Sequence, residues 1–297
     1  MEFNEVNCPV CEKNDYKVVY PGTLGKNAPV FGYKWTPEIR KIYRLVQCKN
    51  CSHAYASPRL SDIYKYYEDV KDETYLNNAG LRKKTARKVL TTIKKFKPDG
   101  KLLDVGCSTG DFLEVAKEDY ESEGMELSEW ALKIAREKQL LVYKETLRDR
   151  AAACRASYDV VTMWGVIEHL EYPKLEIQRI NSLLKEGGIV ALWTGDFNSI
   201  FSKIFRQKWW YILGQHIQFF SWKSMDYLME EAGFQRVHKG IYPYVISFEY
   251  LGVSLSRYSI VGPLVRNFFK LYGLAAQEFT LKKSDEMFAI YKKVRNN

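Results

Sequence analysis

The sequence predicts an α/β fold built on a mostly parallel sheet with helices on both faces, preceded by a small cysteine-bearing module. Three observations predict it. Residues 102–110, Leu-Leu-Asp-Val-Gly-Cys-Ser-Thr-Gly, read as a short apolar strand that runs into a Gly-bracketed turn, with a helix following from Asp111. Strand-like runs recur near 101–105, 121–126, 141–144, 158–163 and 188–194 with helical stretches between them, the alternation that builds a parallel sheet. Upstream stand two Cys-x-x-Cys pairs, Cys8 with Cys11 and Cys48 with Cys51.

Taken in chain order, the cysteines come first. A Cys-x-x-Cys spacing lets two thiolates take adjacent corners of one metal tetrahedron, and two such pairs make a closed four-sulfur site. The 36-residue excursion between them carries the turn formers Pro21-Gly22, Gly25, Pro29, Gly32 and Pro37, as a folded-back loop requires. Disulfides are the competing reading, which a reducing compartment and the short spacing disfavour. With every position filled by sulfur, a zinc ion here is expected to be structural, with no open position for water. Residues 1–57 are therefore read as a zinc ribbon, and 58–80, with Tyr64, Tyr66, Tyr67 and Tyr75, as a connecting helix and lid. The main domain then spans 81–297.

That domain opens on a basic segment. Arg82, Lys83, Lys84, Arg87, Lys88, Lys94, Lys95 and Lys97 surround Leu81, Val89, Ile93 and Phe96, which recur at helical spacing and are expected to face a core. The cations are either the solvated face of a packed helix or a landing surface for phosphates. In the turn that follows, Gly106 and Gly110 allow open backbone conformations and close approach to a ligand, and the next helix offers unpaired N–H groups. An acidic residue, Glu126, stands about 20 residues on at the expected end of the second strand, where a ribose would be held through its hydroxyls. A nicotinamide fingerprint wants glycines as G-x-G-x-x-G. Cys107 and Ser108 follow a single early glycine here, which argues against a dehydrogenase.

These residues resemble the class I S-adenosylmethionine-dependent methyltransferases, a Rossmann-like family. The resemblance runs through most of the chain. Asp-Val-Gly-Cys-x-x-Gly is similar to the family's first motif, and Glu126 matches its acidic ribose ligand. Residues Tyr158 to Met163 look like the fourth strand, which leads into Glu168-His169-Leu170, and Leu184-Lys185-Glu186-Gly187-Gly188 looks like the turn entering strand five. The resemblance implies a seven-stranded sheet with a closing antiparallel strand near 285–294. It also implies S-adenosylmethionine as cofactor, with Asp104 at the methionine amino end, Gly106, Cys107 and Gly110 in the close backbone approach, Glu126 on the ribose, Thr146 and Leu147 flanking adenine, and Trp164 lining the methionine pocket. The words Leu45 to Arg59 are similar to the zinc-ribbon leader of a bacterial subgroup found with polysaccharide and secondary-metabolite genes. Ser52 stands where that subgroup usually has glycine.

Direct methyl transfer needs an in-line acceptor lone pair and, for a hydroxyl, a base near the donor. His169 follows the fourth strand and is one candidate; it also reads as the start of a helix. His216, in a His-x-x-Phe-Phe-Ser word similar to the subgroup's, is the rival. His53 and His238 read as structural or surface residues. The acceptor is expected to be a small molecule, a sugar, nucleotide-sugar or glycan hydroxyl by subgroup resemblance, methylated on oxygen. An RNA methyltransferase using the ribbon and basic helix, and a cofactor-binding regulator without catalysis, are the alternatives. The further C-terminal domain of sugar C-methyltransferases is not expected.

An insertion of about 195–280 carries Phe197, Phe201, Phe205, Trp209, Trp210, Tyr211, Phe219, Phe220 and Trp222, read as shaping the acceptor pocket, and 241–275 reads as a cap helix region. At 297 residues and 46% hydrophobic content the chain can fill a substantial core. Its net charge of +9 suits an anionic partner, though nucleic acid is not the first choice. No run approaches the roughly 20 apolar residues of a membrane span, and the N-terminus lacks the features of a signal peptide, so a cytoplasmic location is expected. Oligomeric state is left open.

Overall fold

The computed structural model describes residues 3–25, 27–32, 36–71, 73–255 and 261–296. In the N-terminal part, β1 (Phe3–Asn4), β2 (Tyr16–Tyr20), β3 (Leu45–Cys48), β4 (Ala54–Ala56) and β5 (Arg59–Leu60) are short antiparallel strands. The connecting stretch contains a 3-10 turn at Ile63–Tyr66 and one short helix, α1 (Glu73–Leu76), in place of a continuous helix. Helix α2 (Ala79–Ile93) buries Ala86, Val89, Leu90 and Ile93 along one face. The opposite face is cationic and paired: Arg82 with Asp111 at 2.5 Å, Lys83 with Glu114 at 2.8 Å, Lys84 with Glu278 at 2.5 Å, Arg87 with Glu118 at 3.0 Å and Lys94 with Asp119 at 2.5 Å. Those five cations are already engaged with acids of the same chain, which leaves much less of the strip for phosphates. The exposed pairs among them add little stability, about 0–1 kcal/mol each, whereas Asp111 is itself buried.

The sheet then assembles from β6 (Lys101–Val105), β7 (Glu121–Met125), β8 (Val142–Tyr143), β9 (Tyr158–Trp164) and β10 (Leu184–Gly195). Helices α3 (Asp111–Ala116), α4 (Glu129–Glu137), α5 (Leu147–Ala153) and α6 (Pro173–Leu183) alternate with them. Their starts follow local chemistry. Ser128 caps α4 by accepting from the Ala131 N–H, Thr146 and Asp149 form a reciprocal capping box on α5, and a proline occupies the first turn of α6, where its missing N–H costs nothing.

After β10 come α7 (Ile200–Phe205), β11 (Gln218–Phe219), α8 (Trp222–Glu231), β12 (Phe234–Gly240), β13 (Pro243–Ser247), α9 (Phe248–Leu255), α10 (Val261–Leu271), β14 (Glu278–Lys282) and β15 (Glu286–Lys293). Among the described residues the main sheet has seven strands in the order β12-β15-β10-β9-β6-β7-β8. Strands β10, β9, β6, β7 and β8 run parallel; β15 lies antiparallel between β10 and β12, with Val190 opposite Tyr291. The fold expected from the sequence is therefore the fold observed, down to the antiparallel closing strand. The expected cap helix region differs in part: it begins with β13, which pairs with β14, and only then turns helical, while residues 256–260, with Ile260, lie outside the described residues. Along β14 half-buried and exposed residues alternate, so one face of that strand packs and the other meets solvent, while its partner β13 buries Val245 and Ile246.

Two apolar layers flank the sheet. One of them includes Cys8, Val46, Cys48 and Tyr55 of the ribbon together with Leu103, Val161, Leu192 and Phe220, so ribbon and sheet share a single core. The connection is also hydrogen-bonded: β11 adds to the ribbon sheet, with Gln218 opposite Tyr55 and Phe219 opposite Ala54. Several rings of the aromatic insertion are consumed in this joint. Trp209, Tyr211 and Phe219 are buried against Tyr20, Ile42 and Leu45, and both indole N–H groups of Trp209 and Trp210 donate to Asp285 at 2.6 Å. They pack the ribbon onto the sheet, because large rings far from solvent gain most from apolar burial. No helix among the described residues is long and apolar enough to cross a membrane.

Candidate active site

In an open α/β sheet, ligands bind beyond the carboxyl ends of the strands, where the order reverses. Here the order reverses about β6, and its end carries the turn. Gly106 has φ 72°, and its N–H, with that of Cys107, donates to the Met125 carbonyl at 2.8 and 2.9 Å. A Cβ on Gly106 would come within 2.7 Å of Val166 Cγ2, and one on Gly110, at φ 78°, would strike Leu140 Cδ1. Side chains are therefore excluded from both positions by conformation and by space. Cys107 is turned inward, its sulfur packed where a Cβ on Gly124 would stand, and burial pushes its thiol up. Its main chain, not its sulfur, faces the turn.

Glu126 follows β7. Its carboxylate accepts three backbone N–H groups, from Ser108 at 2.9 Å, Leu127 at 2.7 Å and Ser128 at 2.8 Å. Burial raises its pKa, and those three donors oppose the rise. Asp104, at the end of β6, is buried and accepts from Thr162 Oγ1 at 2.6 Å; burial pushes it up to about 7, with the nearby Glu126 charge adding to the effect. A small pocket forms over this point, lined by Ser108, Glu126, Ser128 and Trp130 from the sheet side and by Tyr67 and Tyr75 from the connecting stretch. Ser128 and Trp130 were missed by sequence reading, since an N-cap serine and a helical tryptophan carry no ligand signal of their own.

Trp164 closes β9, half-buried against Phe112 at 5.2 Å and Tyr242 at 5.6 Å, and its buried indole N–H has no hydrogen-bond partner among the described residues. A buried donor without an acceptor is costly, and a polar ligand group that reached it would satisfy it. Thr146 is exposed and spends its hydroxyl on Asp149 at 2.6 Å, while Leu147 is buried. The fit to an adenosyl and amino-acid ligand thus rests on the turn, on Glu126 and on the unpaired Trp164 donor.

Beyond β9 the chain makes a 3-10 turn at Ile167–His169. This turn brings Glu168 and His169 against His216, and one ligand atom from each of the three lies within 4.8 Å of the others. The two imidazoles meet edge to face at 4.8 Å. His169 Nδ1 lies 3.1 Å from the Gln215 carbonyl and 2.7 Å from Tyr67 Oη; His216 Nδ1 lies 2.8 Å from the Tyr211 carbonyl. A carbonyl only accepts, so each Nδ1 carries the proton and each Nε2 keeps its lone pair. Burial pushes His169 down to about 4 and His216 well below its usual value, and it pushes the Glu168 carboxyl up to about 7. Tyr67 joins this cluster to the pocket beside Glu126. The two candidate bases of the sequence are thus neighbours in one site.

The four cysteines converge as a second centre. Their sulfurs all lie within 4.8 Å of one another, unbonded, with Cys8 to Cys51 and Cys11 to Cys48 at 3.5 Å. A tetrahedral zinc with bonds of about 2.3 Å separates its sulfurs by roughly 3.8 Å, so the donor set fits. The hydrogen bond shared by the pair pushes the Cys51 thiol down to about 6 and the Cys8 thiol up. Both knuckles turn through a left-handed residue just after the second cysteine, Glu12 and Ser52, each at φ 65°. The glycine usual at the latter position in similar ribbons has this conformational reason.

Comparison with known proteins places these features. The family model described as Methyltransferase domain matches residues 78–239, more than half of the chain. The ubiquinone biosynthesis O-methyltransferase of Vibrio parahaemolyticus is 37% identical over 97 residues, covering 30% of this chain and 41% of that protein. The enzyme of the same description from Leptothrix cholodnii is 37% identical over 107 residues, covering 33% and 46%. The chain thus spans less than half the length of these relatives. Among solved structures, a SAM-dependent methyltransferase from Archaeoglobus fulgidus aligns with TM-score 0.52 at 22% identity, covering 75% of this chain and all of that one. One from Thermotoga maritima aligns with TM-score 0.50 at 19% identity, covering 78% and 98%.

Proposed function

Because this chain belongs to the class I S-adenosylmethionine-dependent methyltransferase family, we propose that it transfers a methyl group to a hydroxyl oxygen of a small molecule. The observation that carries the reading is the Gly106–Gly110 turn with Glu126 beside it, at a pocket lined by Tyr67, whose hydroxyl in turn meets His169 of the Glu168, His169 and His216 cluster. When bound, S-adenosylmethionine supplies a methyl group on a positively charged sulfur, so the protein's task is to align and to manage a proton. Glu126 would accept from the ribose hydroxyls, Asp104 from the amino group, and Gly106 and Gly110 would let the backbone close on the ligand. Thr146 and Leu147, at the start of α5, would border the adenine, and the Trp164 indole would donate to the ligand's polar end.

His169 and His216, neutral and with free Nε2 lone pairs, would receive the acceptor's proton directly or hold the group that lowers its pKa. The four cysteines would hold a structural zinc that ties the ribbon to the sheet. Oxygen as the methylated atom follows the O-methyltransferase activity of the ubiquinone-biosynthesis relatives. A sugar or nucleotide-sugar acceptor is the finer reading and rests on the resemblance of the ribbon leader alone.

The test is calorimetric titration with S-adenosylhomocysteine, then methyl transfer on the same sample to pooled nucleotide-sugars, to ubiquinone precursors and to bulk RNA. Binding with transfer to a small molecule supports the proposal, and the pool that reacts names the acceptor class. Glu126→Ala should weaken binding about 10- to 100-fold, the loss of charge-assisted hydrogen bonds of about 1.5–3 kcal/mol. Unchanged affinity in that variant would remove the site assignment, and transfer to RNA alone would replace the acceptor class.

A further inference from the structure

Glu168 is 2% exposed, and its carboxyl has only neutral partners, accepting from Thr194 Oγ1 at 3.1 Å, from the Tyr211 hydroxyl and from its own backbone N–H. No lysine or arginine is paired with it among the described residues. A buried carboxylate without a compensating charge is expensive, and proteins that keep one either protonate it or set it on a cation. The groups beside it are those a cation would want. His169 and His216 each commit the Nδ1–H to a backbone carbonyl, the outer-shell arrangement that fixes a metal-ligating imidazole and aims Nε2 inward.

From this geometry we infer that Glu168, His169 and His216 form a second metal site, a two-histidine, one-carboxylate set for a divalent transition-metal ion, separate from the four cysteines. The donor set is one carboxylate oxygen and two imidazole nitrogens within 4.8 Å of one another. Nitrogen and oxygen donors of this mix suit manganese, iron, cobalt or zinc, whereas the thiolate cluster selects zinc. Three protein ligands leave coordination positions open. Resting on the methyl-transfer reading, one of them would take the acceptor oxygen, and the ion would lower that hydroxyl's pKa so that its proton passes to water before the oxygen is methylated. The site sits on a joint that the ribbon helps to hold: Ala56 N–H donates to the Ile217 carbonyl at 2.9 Å, and Ile217 N–H donates to the Glu168 carbonyl at 3.0 Å.

The experiment uses the full chain with Mn(II) alone, with neither donor nor acceptor present, so that its result is independent of the methyl-transfer assay. After chelation of loosely held metal, Mn(II) is titrated and the free ion followed by electron paramagnetic resonance. The expected result is saturation at about one equivalent per chain, with affinity lowered at least tenfold in Glu168→Gln and His216→Gln, while S-adenosylhomocysteine binding is retained. If either variant fails to fold, the Co(II) spectrum of the wild-type chain decides. Weak visible bands without thiolate charge transfer, growing alongside an intact zinc-loaded cysteine site, support the inference. Failure to bind Mn(II), or cobalt bound only through thiolates, overturns it and leaves the cluster as an acid–base relay.

Discussion

Replacing Gln218 by methionine removes two hydrogen bonds while keeping nearly the same volume, and it strikes the seam between ribbon and sheet. The Gln218 side chain is fully buried; its Oε1 accepts from His53 Nε2 at 2.9 Å, and its Nε2 donates to the Leu170 carbonyl at 2.8 Å. His53 is itself fully buried, and its other ring nitrogen has no partner among the described residues. The substitution therefore strands a ring N–H and a carbonyl away from water. At about 1–3 kcal/mol for each of the two stranded groups, the loss is roughly 2–6 kcal/mol, with little added cavity cost because methionine refills the space. Leu170 follows the turn that carries His169, and Gln218 is two residues from His216, so the Glu168, His169 and His216 cluster should loosen as well.

Urea unfolding followed by tryptophan fluorescence reads the first effect. A double-mutant cycle with His53→Phe separates the pair, because with His53 gone its stranded N–H no longer contributes. A coupling of at least about 1 kcal/mol is expected. If Gln218→Met unfolds within about 0.5 kcal/mol of the wild type, the seam is not held by these bonds and the reasoning fails.

Two further predictions concern local conformation and pH. At Ser52, whose φ of 65° disfavours an L side chain, Ser52→Gly should raise the unfolding midpoint by an amount worth roughly 1 kcal/mol; a lower midpoint would mean the hydroxyl contributes more than the strain costs. Burial lifts Asp104 from 3.8 to about 7, so its contribution to stability is full below about pH 4 and is lost as pH rises through about 7. Asp104→Asn should accordingly gain on the wild type in thermal midpoint between pH 5 and 8. A difference that stays constant across that range would show that Asp104 does not titrate there.

Much of this protein is written in short stretches of sequence. Strand β6, the turn after it, the acid at the end of β7 and both cysteine knuckles are visible because each depends on neighbours a few residues away: apolar runs, glycines that tolerate positive φ, and a spacing that puts two sulfurs on one ion. Strand β12 had no such signal. Its residues Phe234–Gly240 are mostly half-exposed at the sheet edge, so neither an apolar run nor clean alternation marks them.

The basic segment was open between two readings, and only the positions of Asp111, Glu114, Glu118, Asp119 and Glu278 around it decide that its cations are largely paired. Likewise the rings of the insertion could be assigned to packing only once Trp209, Tyr211 and Phe219 were seen against the ribbon. The convergence of Glu168 and His169 with His216 also belongs to tertiary structure. It depends on β11 crossing to pair with β4 and on the 3-10 turn after β9 arriving at the same place. Local propensities carry no information about such meetings, which are selected by burial and by hydrogen bonding between segments far apart in the chain.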